Sequence, residues 1–280
     1  MPPDGQRGAG VLGGGAGAVA IARRVASRVE SVHLFDPFNR MLAMPDGDRI
    51  CVSASAEEMW SRSDVAISHL EDEAQLRTVL GECWNQRASG HPSTLLELSP
   101  ISESAQAELS ARCRDANVAL IGGRVAALGG EGAARSVLFV DDAALSQPEL
   151  APLLDALADE VVPTGAAGNA KKVGMLVDLL VGVNTAIVDE AIVLGTRSGI
   201  DAATLVRLVG TGSGANAVLA RARTAPRGEG AHADEECASL RRGLARASAM
   251  ASQVDHSMFF GSLAISSLLG RHNAHARRRT

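Results

Sequence analysis

Three glycines and one aspartate near the start of the sequence have the types and spacing of a dinucleotide-binding unit. Gly13, Gly15 and Gly17 follow a short apolar run and precede an alanine-rich segment that is predicted to be helical. Glycine here permits a tight turn and close approach of a pyrophosphate, which the N–H groups and positive dipole of the helix attract. Asp36 ends the next apolar run, about 20 residues later, where a carboxylate accepts hydrogen bonds from a ribose hydroxyl. The alternative is a flexible N-terminal tail, since the preceding residues are also rich in Gly and Pro.

The same aspartate indicates which nicotinamide cofactor is favoured. A carboxylate at Asp36 would repel a 2′-phosphate, so the sequence favours NAD(H) over NADP(H). Arg40 lies close enough in the sequence to accommodate that phosphate, so NADP(H) stays open as an alternative.

The composition narrows the classes of function. The chain has 280 residues, 46% of them hydrophobic, which is enough for a substantial core and for two domains or one large one. Its formal net charge of −5 argues against nucleic acid as a main partner. It contains no tyrosine, which excludes mechanisms that need a tyrosine proton donor.

The cysteines and the apolar segments predict a cytoplasmic protein without a membrane span. The four cysteines are scattered and form no CxxC pair, so we expect reduced thiols, with neither a disulfide framework nor a metal site. Residues 1–10 lack the charged start and apolar core of a signal peptide. The longest apolar stretch, residues 173–194, is interrupted by polar and acidic residues and predicts a buried helix.

These motifs need a sheet to position them, and the first part of the chain supplies its pattern. Short apolar runs alternate with helical patterns, which predicts a mostly parallel sheet covered on both faces, an α/β Rossmann domain over residues 8–164. The predicted strands are 11–12, 32–35, 49–52, 65–68, 94–98, 118–121, 136–140 and 160–163. The predicted helices are 56–62 with Ser55 as N-cap, 73–86, 102–116 with a cap near Ser102, and 148–158.

The pattern becomes entirely helical from residue 165, which predicts a second domain over residues 165–270. A helix over residues 170–198 is apolar almost all round, so it should be enclosed on every side by protein. Further helices are predicted at 202–209, 215–222, 233–253 and 257–269, with a Gly-, Pro- and Arg-rich loop at 224–231.

Several short motifs follow one another along the chain in a recognisable order. They are LFDPF (34–38), SAEE (55–58), SDVAI (63–67), HL (69–70), ELSPIS (97–102), GAAG (165–168), DEA (189–191) and GID (199–201). By these motifs, over roughly residues 11–270, the sequence resembles the β-hydroxyacid dehydrogenase superfamily, which includes 3-hydroxyisobutyrate dehydrogenases and imine reductases.

The resemblance implies an N-terminal Rossmann domain, a long interdomain helix and an all-helical C-terminal dimerisation domain. It also implies a homodimer with interlocked helical domains and a small-molecule substrate. Among the site residues, it places Leu70 in the loop over the cofactor and Ser99 at the position of a substrate-binding serine.

The sequence departs from the dehydrogenase pattern at the catalytic positions. The catalytic lysine of that pattern falls on Gly174, and the asparagine four residues later falls on Asp178. The later lysine–aspartate pair falls about at residues 242–243, which are Arg and Gly. The segment GGRVAA (122–127) looks closer to the imine reductases, which also lack the lysine, and its Arg124 could bind a substrate carboxylate or be solvated.

Helix geometry suggests what replaces the lysine. Lys171, Gly174 and Asp178 share one helix face, with Gly174 as a gap that could admit a substrate. Asp178 could donate a proton if it is buried, or could stabilise an iminium cation as a carboxylate, and Lys171 is a second candidate proton donor. The alternative is that Lys171 is a solvated first-turn residue and Asp178 a structural polar group. His69 and His256 are weaker candidates, since each is expected in a loop or at the surface.

Two functions remain open from the sequence. The first is an NAD(P)-dependent oxidoreductase that transfers hydride to a C=N or C=O group. The imine version is favoured because a protonated imine needs less acid assistance than a ketone. The second is a catalytically impaired homologue that binds the cofactor and acts as a scaffold or partner protein.

Overall fold

The computed structural model of the protein describes residues 8–38, 49–85, 92–128, 135–224 and 231–276. Within these residues, the strands of one sheet are β1 Gly8–Leu12, β2 Val32–Phe35, β3 Ile50–Val52, β4 Ser63–Ser68, β5 Thr94–Glu97, β6 Ala119–Leu128, β7 Arg135–Val140 and β8 Glu160–Pro163. The helices are α1 Ala16–Ala26, α2 Ala56–Ser61, α3 Glu73–Asn85, α4 Glu103–Asp115, α5 Ala151–Leu157, α6 Asn169–Arg197, α7 Ala202–Val209, α8 Ala217–Thr224, α9 Ala231–Gln253 and α10 Phe259–Ala276.

The sheet has the topology of a Rossmann domain, which confirms the predicted fold class. Its strands lie in the order β3-β2-β1-β4-β5-β6-β7-β8, and β1 pairs in parallel with both β2 and β4. The first six strands thus have the order 3-2-1-4-5-6 of a doubly wound dinucleotide-binding sheet. Ligands of such sheets bind beyond the carboxyl ends of the strands where the order reverses, which here is the end of β1 between β2 and β4.

Most predicted elements are present, with differences at their ends. Residues 8–12 form a central strand, so the flexible-tail alternative is wrong from residue 8 onward. Strand β6 continues to Leu128, beyond the predicted end, and α5 begins at Ala151 because two 3₁₀ turns precede it. Ser55 and Ser102 cap α2 and α4 as predicted, each accepting a hydrogen bond from a backbone N–H of the first turn.

The sheet is covered on both faces, as the near-continuous apolar character of its strands requires. Neighbouring residues of one strand enter different clusters, because successive side chains point to opposite faces. Val11 packs in a cluster with α1 and α5, whereas Leu12 packs in a cluster with α2, α3 and α4. Trp60 of α2 is among the largest fully buried side chains of the second cluster.

By its contacts the chain divides into two units. The sheet unit comprises the described residues up to 126 together with 136–173, and the helical unit comprises the described residues from 174 onward together with residues 127, 128 and 135. The first turn of α6 belongs to the sheet unit. The Ala170 N–H donates a hydrogen bond to the Asp141 carboxylate, and the Lys171 side chain donates one to the carbonyl of Glu97. The predicted boundary between residues 164 and 165 precedes this division and stays a prediction.

Small residues let the helices of the helical unit pack closely against one another. A Cβ atom at Gly182 of α6 would come within 2.8 Å of Leu244, so the absence of a side chain lets α6 and α9 approach closely. Ala186, Leu244, Ala264 and Leu268 form the centre of this packing. None of the helices in the described ranges combines the length and the apolar character that crossing a lipid bilayer requires.

One side of α6 is left exposed by the residues that the structure describes. Leu180, Ile187 and Leu194 are 63%, 57% and 66% exposed, and their spacing of seven residues places them on one helix face. Among the described residues, this side of the helix is therefore not enclosed, in contrast to the expected enclosure on every side. We refer to Leu180, Ile187 and Leu194 as the α6 stripe.

Candidate functional site

A pocket of about 430 Å³ lies where β1, β2 and β4 end. Four of the five predicted cofactor residues line it: Gly15, Gly17, Asp36 and Leu70. The full lining consists of Gly14, Gly15, Ala16, Gly17, Asp36, Phe38, His69, Leu70, Glu71 and Gln75. The residues of the glycine turn, the amino end of α1 and the acid at the end of β2 are therefore brought together as the sequence predicts.

Gly13, the fifth predicted residue, shapes the turn beneath the pocket. It is buried and has φ of +133°, a conformation that L residues with a side chain rarely adopt. A side chain here would also overlap the backbone carbonyl of His69. Its N–H donates to the carbonyl of Phe35 at 2.9 Å, which ties the turn to the end of β2.

Asp36 lies at the end of β2 with its carboxylate directed at the glycine turn. Its side chain is packed so closely on Gly14 that a Cβ atom there would overlap the carboxylate. Oδ1 accepts a hydrogen bond from the N–H of Phe38 at 3.0 Å, and the residue is 9% exposed. This places an acid at the pocket where an adenosine ribose is expected. Arg40, the residue that leaves NADP(H) open, lies outside the described residues.

Two ionisable residues that follow β4 also line the pocket. His69 was only a weak candidate in the sequence, and Glu71 was not identified there. Burial, together with the positive charges of Arg124 and Lys171, lowers the pKa of His69 to about 4, so the imidazole is neutral at physiological pH. The Glu71 carboxylate accepts a hydrogen bond from Gln75 at 3.3 Å. The sequence gives no motif for either residue, because their position depends on how the loop after β4 folds over the glycine turn.

Lys171 is buried and fully engaged in the sheet unit. Its Nζ donates to the backbone carbonyls of Glu97, Ser99 and Gly123 at 2.7, 2.8 and 2.9 Å. These three hydrogen bonds use all three N–H groups of the ammonium, and only 3% of the residue is exposed. We call Lys171 with these three carbonyls the lysine clamp. The alternative of a solvated first-turn lysine is wrong, and the predicted role as proton donor is unsuited to an ammonium whose donors are all used.

A buried carboxylate completes this cluster. Glu97 is 0% exposed, and its Oε1 lies 3.8 Å from the Lys171 Nζ and accepts the N–H of Ser99 at 2.5 Å. Its other oxygen accepts a hydrogen bond from the Ser68 hydroxyl. The sequence contained a signal for this residue, since Glu97 is the one charged residue within the apolar run 94–98. A charge in such a strand must be paired or hydrogen-bonded when it is buried.

Ser99, the predicted substrate-binding serine, is also fully buried. Its Oγ accepts the N–H of Leu70 at 2.9 Å, and its carbonyl belongs to the lysine clamp. Ser99 therefore fixes the loop that lines the dinucleotide pocket. Contact with a substrate stays a prediction for this residue and for Arg124, which is half-buried on β6 and contributes its charge to the surroundings of His69.

The start of α6 is held by a second buried residue that the sequence did not indicate. The Asp141 carboxylate is 2% exposed and accepts the N–H groups of Gly122, Gly168 and Ala170 at 3.0–3.1 Å. A carboxylate at the amino end of a helix satisfies free N–H groups and opposes the positive end of the helix dipole. Asp141 and Lys171 thus fix the first turn of α6 to the ends of the strands.

Asp178 lies in the helical unit and forms an ion pair. Its Oδ2 accepts a hydrogen bond from the Arg246 guanidinium at 3.1 Å, and both side chains are less than 20% exposed. A Cβ atom at Gly243 of α9 would come within 2.9 Å of the Asp178 side chain. The carboxylate on α6 therefore uses space left by a glycine on α9, where the dehydrogenase pattern has an aspartate. The sequence could not indicate this pairing, because the two residues are brought together by helix packing.

The last two candidates from the sequence are a glycine of α6 and a histidine that follows α9. Gly174 is buried in α6 and supplies no side chain at the lysine position. His256 is exposed in the turn between α9 and α10, as expected for a surface histidine. Within the described ranges, no group of three or more His, Cys, Asp or Glu residues is arranged to hold a metal ion.

Part of this sequence matches a known protein family. Residues 166–277 match the sequence model of a family described as the NAD-binding domain of NADP-dependent 3-hydroxyisobutyrate dehydrogenase. A comparison with curated protein sequences finds no match. The family match bears out the resemblance to the β-hydroxyacid dehydrogenase superfamily over residues 166–277, and it also supports the predicted class of cofactor.

Solved structures share the fold over nearly the whole chain. A 3-hydroxyisobutyrate dehydrogenase from Salmonella typhimurium is 22% identical with a TM-score of 0.78, covering 96% of this chain and 95% of that one. The Mycobacterium tuberculosis 3-hydroxyisobutyrate dehydrogenase with L-serine is 20% identical with a TM-score of 0.72, covering 97% and 96%. An imine reductase from Myxococcus stipitatus in complex with NADP+ is 12% identical with a TM-score of 0.58, covering 95% and 94%.

Proposed function

We propose that this protein is an NAD(P)-dependent oxidoreductase that transfers a hydride to a C=N or C=O group of a small molecule. The observation that carries the proposal is the pocket in which the glycine turn, the amino end of α1 and the Asp36 carboxylate meet. The helix end suits a pyrophosphate and the acid suits a ribose diol. The matched family model and the dehydrogenases and imine reductase that share the fold support the same class of reaction.

We assign the cofactor as NAD(H), with NADP(H) as the alternative. Asp36 disfavours a 2′-phosphate by like charge, and its carboxylate is directed at the glycine turn. The alternative is supported by the matched family model, which is described as NADP-dependent, and by the imine reductase complex with NADP+.

We prefer reduction of a C=N group to reduction of a ketone. Gly174 supplies no general acid, and the donors of Lys171 are used by the clamp. A protonated imine already carries its proton, so the site needs to stabilise a cation rather than to supply an acid. Asp178 is the residue we assign to that role, because it is the carboxylate on the helix face that Lys171, Gly174 and Asp178 share. Arg124 and Ser99 keep their predicted substrate contacts as part of this proposal, and Gly174 keeps its predicted role as space for the substrate.

The α6 stripe supports a homodimer as the working form. Leu180, Ile187 and Leu194 repeat every seven residues, the spacing by which a helix packs along another helix. A second copy of this chain presents the same apolar surface and could cover the stripe symmetrically. In such a dimer, the partner subunit would complete the surroundings of α6, the helix that carries Gly174 and Asp178.

A second candidate function is supported by the contacts of Lys171 and Asp178, the two residues that could replace the missing lysine. Both charged residues of the Lys171–Asp178 face have protein partners, a clamp in one case and an ion pair in the other. This observation favours a homologue that binds the cofactor without turnover and acts as a scaffold or partner protein.

Cofactor titration followed by a turnover assay distinguishes these proposals. We expect NADH to bind more tightly than NADPH, and reduced cofactor to be consumed with a panel of cyclic imines. A parallel panel of 3-hydroxy acids with oxidised cofactor tests the dehydrogenase alternative. Binding without turnover on either panel would support the scaffold, and failure to bind either cofactor would contradict both functions.

A further inference from the structure

The His69 imidazole lies directly on the amino end of α1. A Cβ atom placed on Gly17 would be 2.5, 3.1 and 3.2 Å from Cε1, Nδ1 and Nε2 of the ring. The ring therefore lies against Gly17, in the first turn of the helix, and His69 lines the dinucleotide pocket. A phosphate bound at this helix end would be a neighbour of the imidazole.

The charged groups around the ring come from several elements. Arg124 of β6 and Lys171 of α6 act on it as positive charges, and Glu71 from its own loop acts as a negative charge. Asp36, which directly follows β2, lines the same pocket. In the protein without cofactor, burial and the two cations hold the pKa of His69 at about 4, so the ring carries no proton at neutral pH.

We propose that binding of a pyrophosphate in this pocket transfers one proton from solvent to the His69 imidazole, so that dinucleotide affinity rises as pH falls. The inference rests on the proposed function, because it requires that a dinucleotide binds here. A bound pyrophosphate brings two negative charges next to the ring, and an opposite charge within about 4–6 Å favours the protonated form. The proton turns a neutral neighbour of the phosphate into a cationic hydrogen-bond donor.

The sign of the pH dependence follows from linkage. A group that binds a proton more tightly in the complex than in the free protein makes ligand binding stronger as pH falls. The gain ends near pH 4, where the ring becomes protonated in the free protein as well. Between about pH 7 and pH 5, the affinity should rise by up to about tenfold per pH unit.

The Glu71 carboxylate would repel the same ligand, so a substitution of Glu71 gives an independent test. Its Oε1 lies 3.6 Å from the position of a Cβ atom on Gly15, so a carboxylate faces the turn where the pyrophosphate would bind. Like charges repel, so Glu71→Gln should raise the affinity at neutral pH. Because the imidazole is retained in that variant, proton uptake should persist.

Isothermal titration calorimetry with ADP-ribose tests the inference. ADP-ribose carries the pyrophosphate but no nicotinamide, and its pyrophosphate does not titrate near neutral pH. Titrations at about pH 5.5, between the pKa of the ring in the free protein and the higher pKa expected in the complex, give the number of protons taken up from the dependence of the heat on buffer ionisation, measured in acetate and in piperazine buffer. We expect uptake of at least about half a proton in the wild-type protein and none in His69→Gln.

The controls separate the possible outcomes. His256→Gln removes an exposed histidine and should leave both affinity and proton uptake unchanged. Binding of ADP-ribose with no proton uptake by the wild-type protein would overturn the inference alone, as would uptake that persists in His69→Gln. Failure of ADP-ribose and of both cofactors to bind at any pH would overturn the proposed function and this inference with it.

Discussion

The sheet unit and the helical unit bury their charged residues in different ways. In the sheet unit, Lys171 and Asp141 bond to backbone groups at the strand ends and at the start of α6. In the helical unit, Asp178 pairs with the Arg246 side chain across two helices, while the α6 stripe is left uncovered. The comparison teaches that the residues of the dinucleotide pocket come from the sheet unit, whereas α6 carries an apolar stripe that the described residues leave exposed.

The lysine clamp gives the strongest test of the sheet unit. In Lys171→Met, three carbonyls lose their donor and the buried Glu97 carboxylate loses its cation. Removing one partner of a buried ion pair costs about 3–5 kcal/mol, so the free energy of unfolding should fall by that amount. Urea unfolding followed by circular dichroism measures the loss.

Lys172→Met is the matched control for the clamp. Lys172 is the next residue of α6, its side chain is 48% exposed, and it lies 3.6 Å from Glu103. An exposed pair of this kind contributes at most about 1 kcal/mol. Equal unfolding midpoints for the two variants would show that the clamp does not hold the sheet unit together.

Asp178→Asn tests whether the helical unit contributes to chemistry. The substitution keeps the shape of the side chain and removes its charge, so we expect turnover of an imine substrate to fall by about 10²-fold or more, comparable with the loss of a positioned catalytic group. Asp201→Asn, which changes the exposed N-cap of α7, is the control and should leave turnover unchanged. Unchanged turnover in Asp178→Asn would limit the residue to its structural pairing with Arg246.

The α6 stripe tests whether the helical unit needs a partner. Ile187→Glu places a charge in the middle of the apolar stripe, and a central interface residue contributes about 2–4 kcal/mol to association. We expect sedimentation velocity to show a dimer for the wild-type protein and a monomer for the variant at the same concentration.

Thr196→Glu provides the control for that measurement. Thr196 is exposed on the opposite side of α6 from Ile187, so a charge there should leave the oligomeric state unchanged. A wild-type monomer at micromolar concentration, or an unchanged dimer in Ile187→Glu, would rule out the stripe as the interface.

The sequence predicted the sheet unit more completely than the helical unit, and the reason is physical. Gly13, Gly15 and Asp36 form a local motif, and their positions follow from strand, turn and helix order alone. Helix caps such as Ser55 are equally local, because the capping bond joins residues three apart. Such features depend on short-range geometry, which the sequence displays directly.

The residues that the sequence missed depend on long-range packing. Glu97 meets Lys171 across 74 positions of the chain, and Asp178 meets Arg246 across 68. No spacing rule connects these pairs, because the strand order and the packing of α6 on α9 bring them together. Lys171 was correctly placed in the first turn of α6, but its burial could not be predicted without the strand ends that surround it.

The smallest expected effect concerns the motif that the sequence predicted best. In Asp36→Ala, the ribose hydroxyls lose their acceptor, and an unpaired polar partner costs about 1–3 kcal/mol, or roughly 5- to 150-fold in affinity for NADH. NADPH should lose less or gain, because the carboxylate that repels its 2′-phosphate is removed. Fluorescence titration with both reduced cofactors measures the change, and Asp64→Ala, an exposed aspartate of β4, serves as the control. An equal loss for both cofactors would mean that Asp36 supports the glycine turn, on which its carboxylate is packed, without selecting the cofactor. A wild-type protein that binds NADPH more tightly than NADH would overturn the assignment of Asp36 and favour the phosphate-binding alternative.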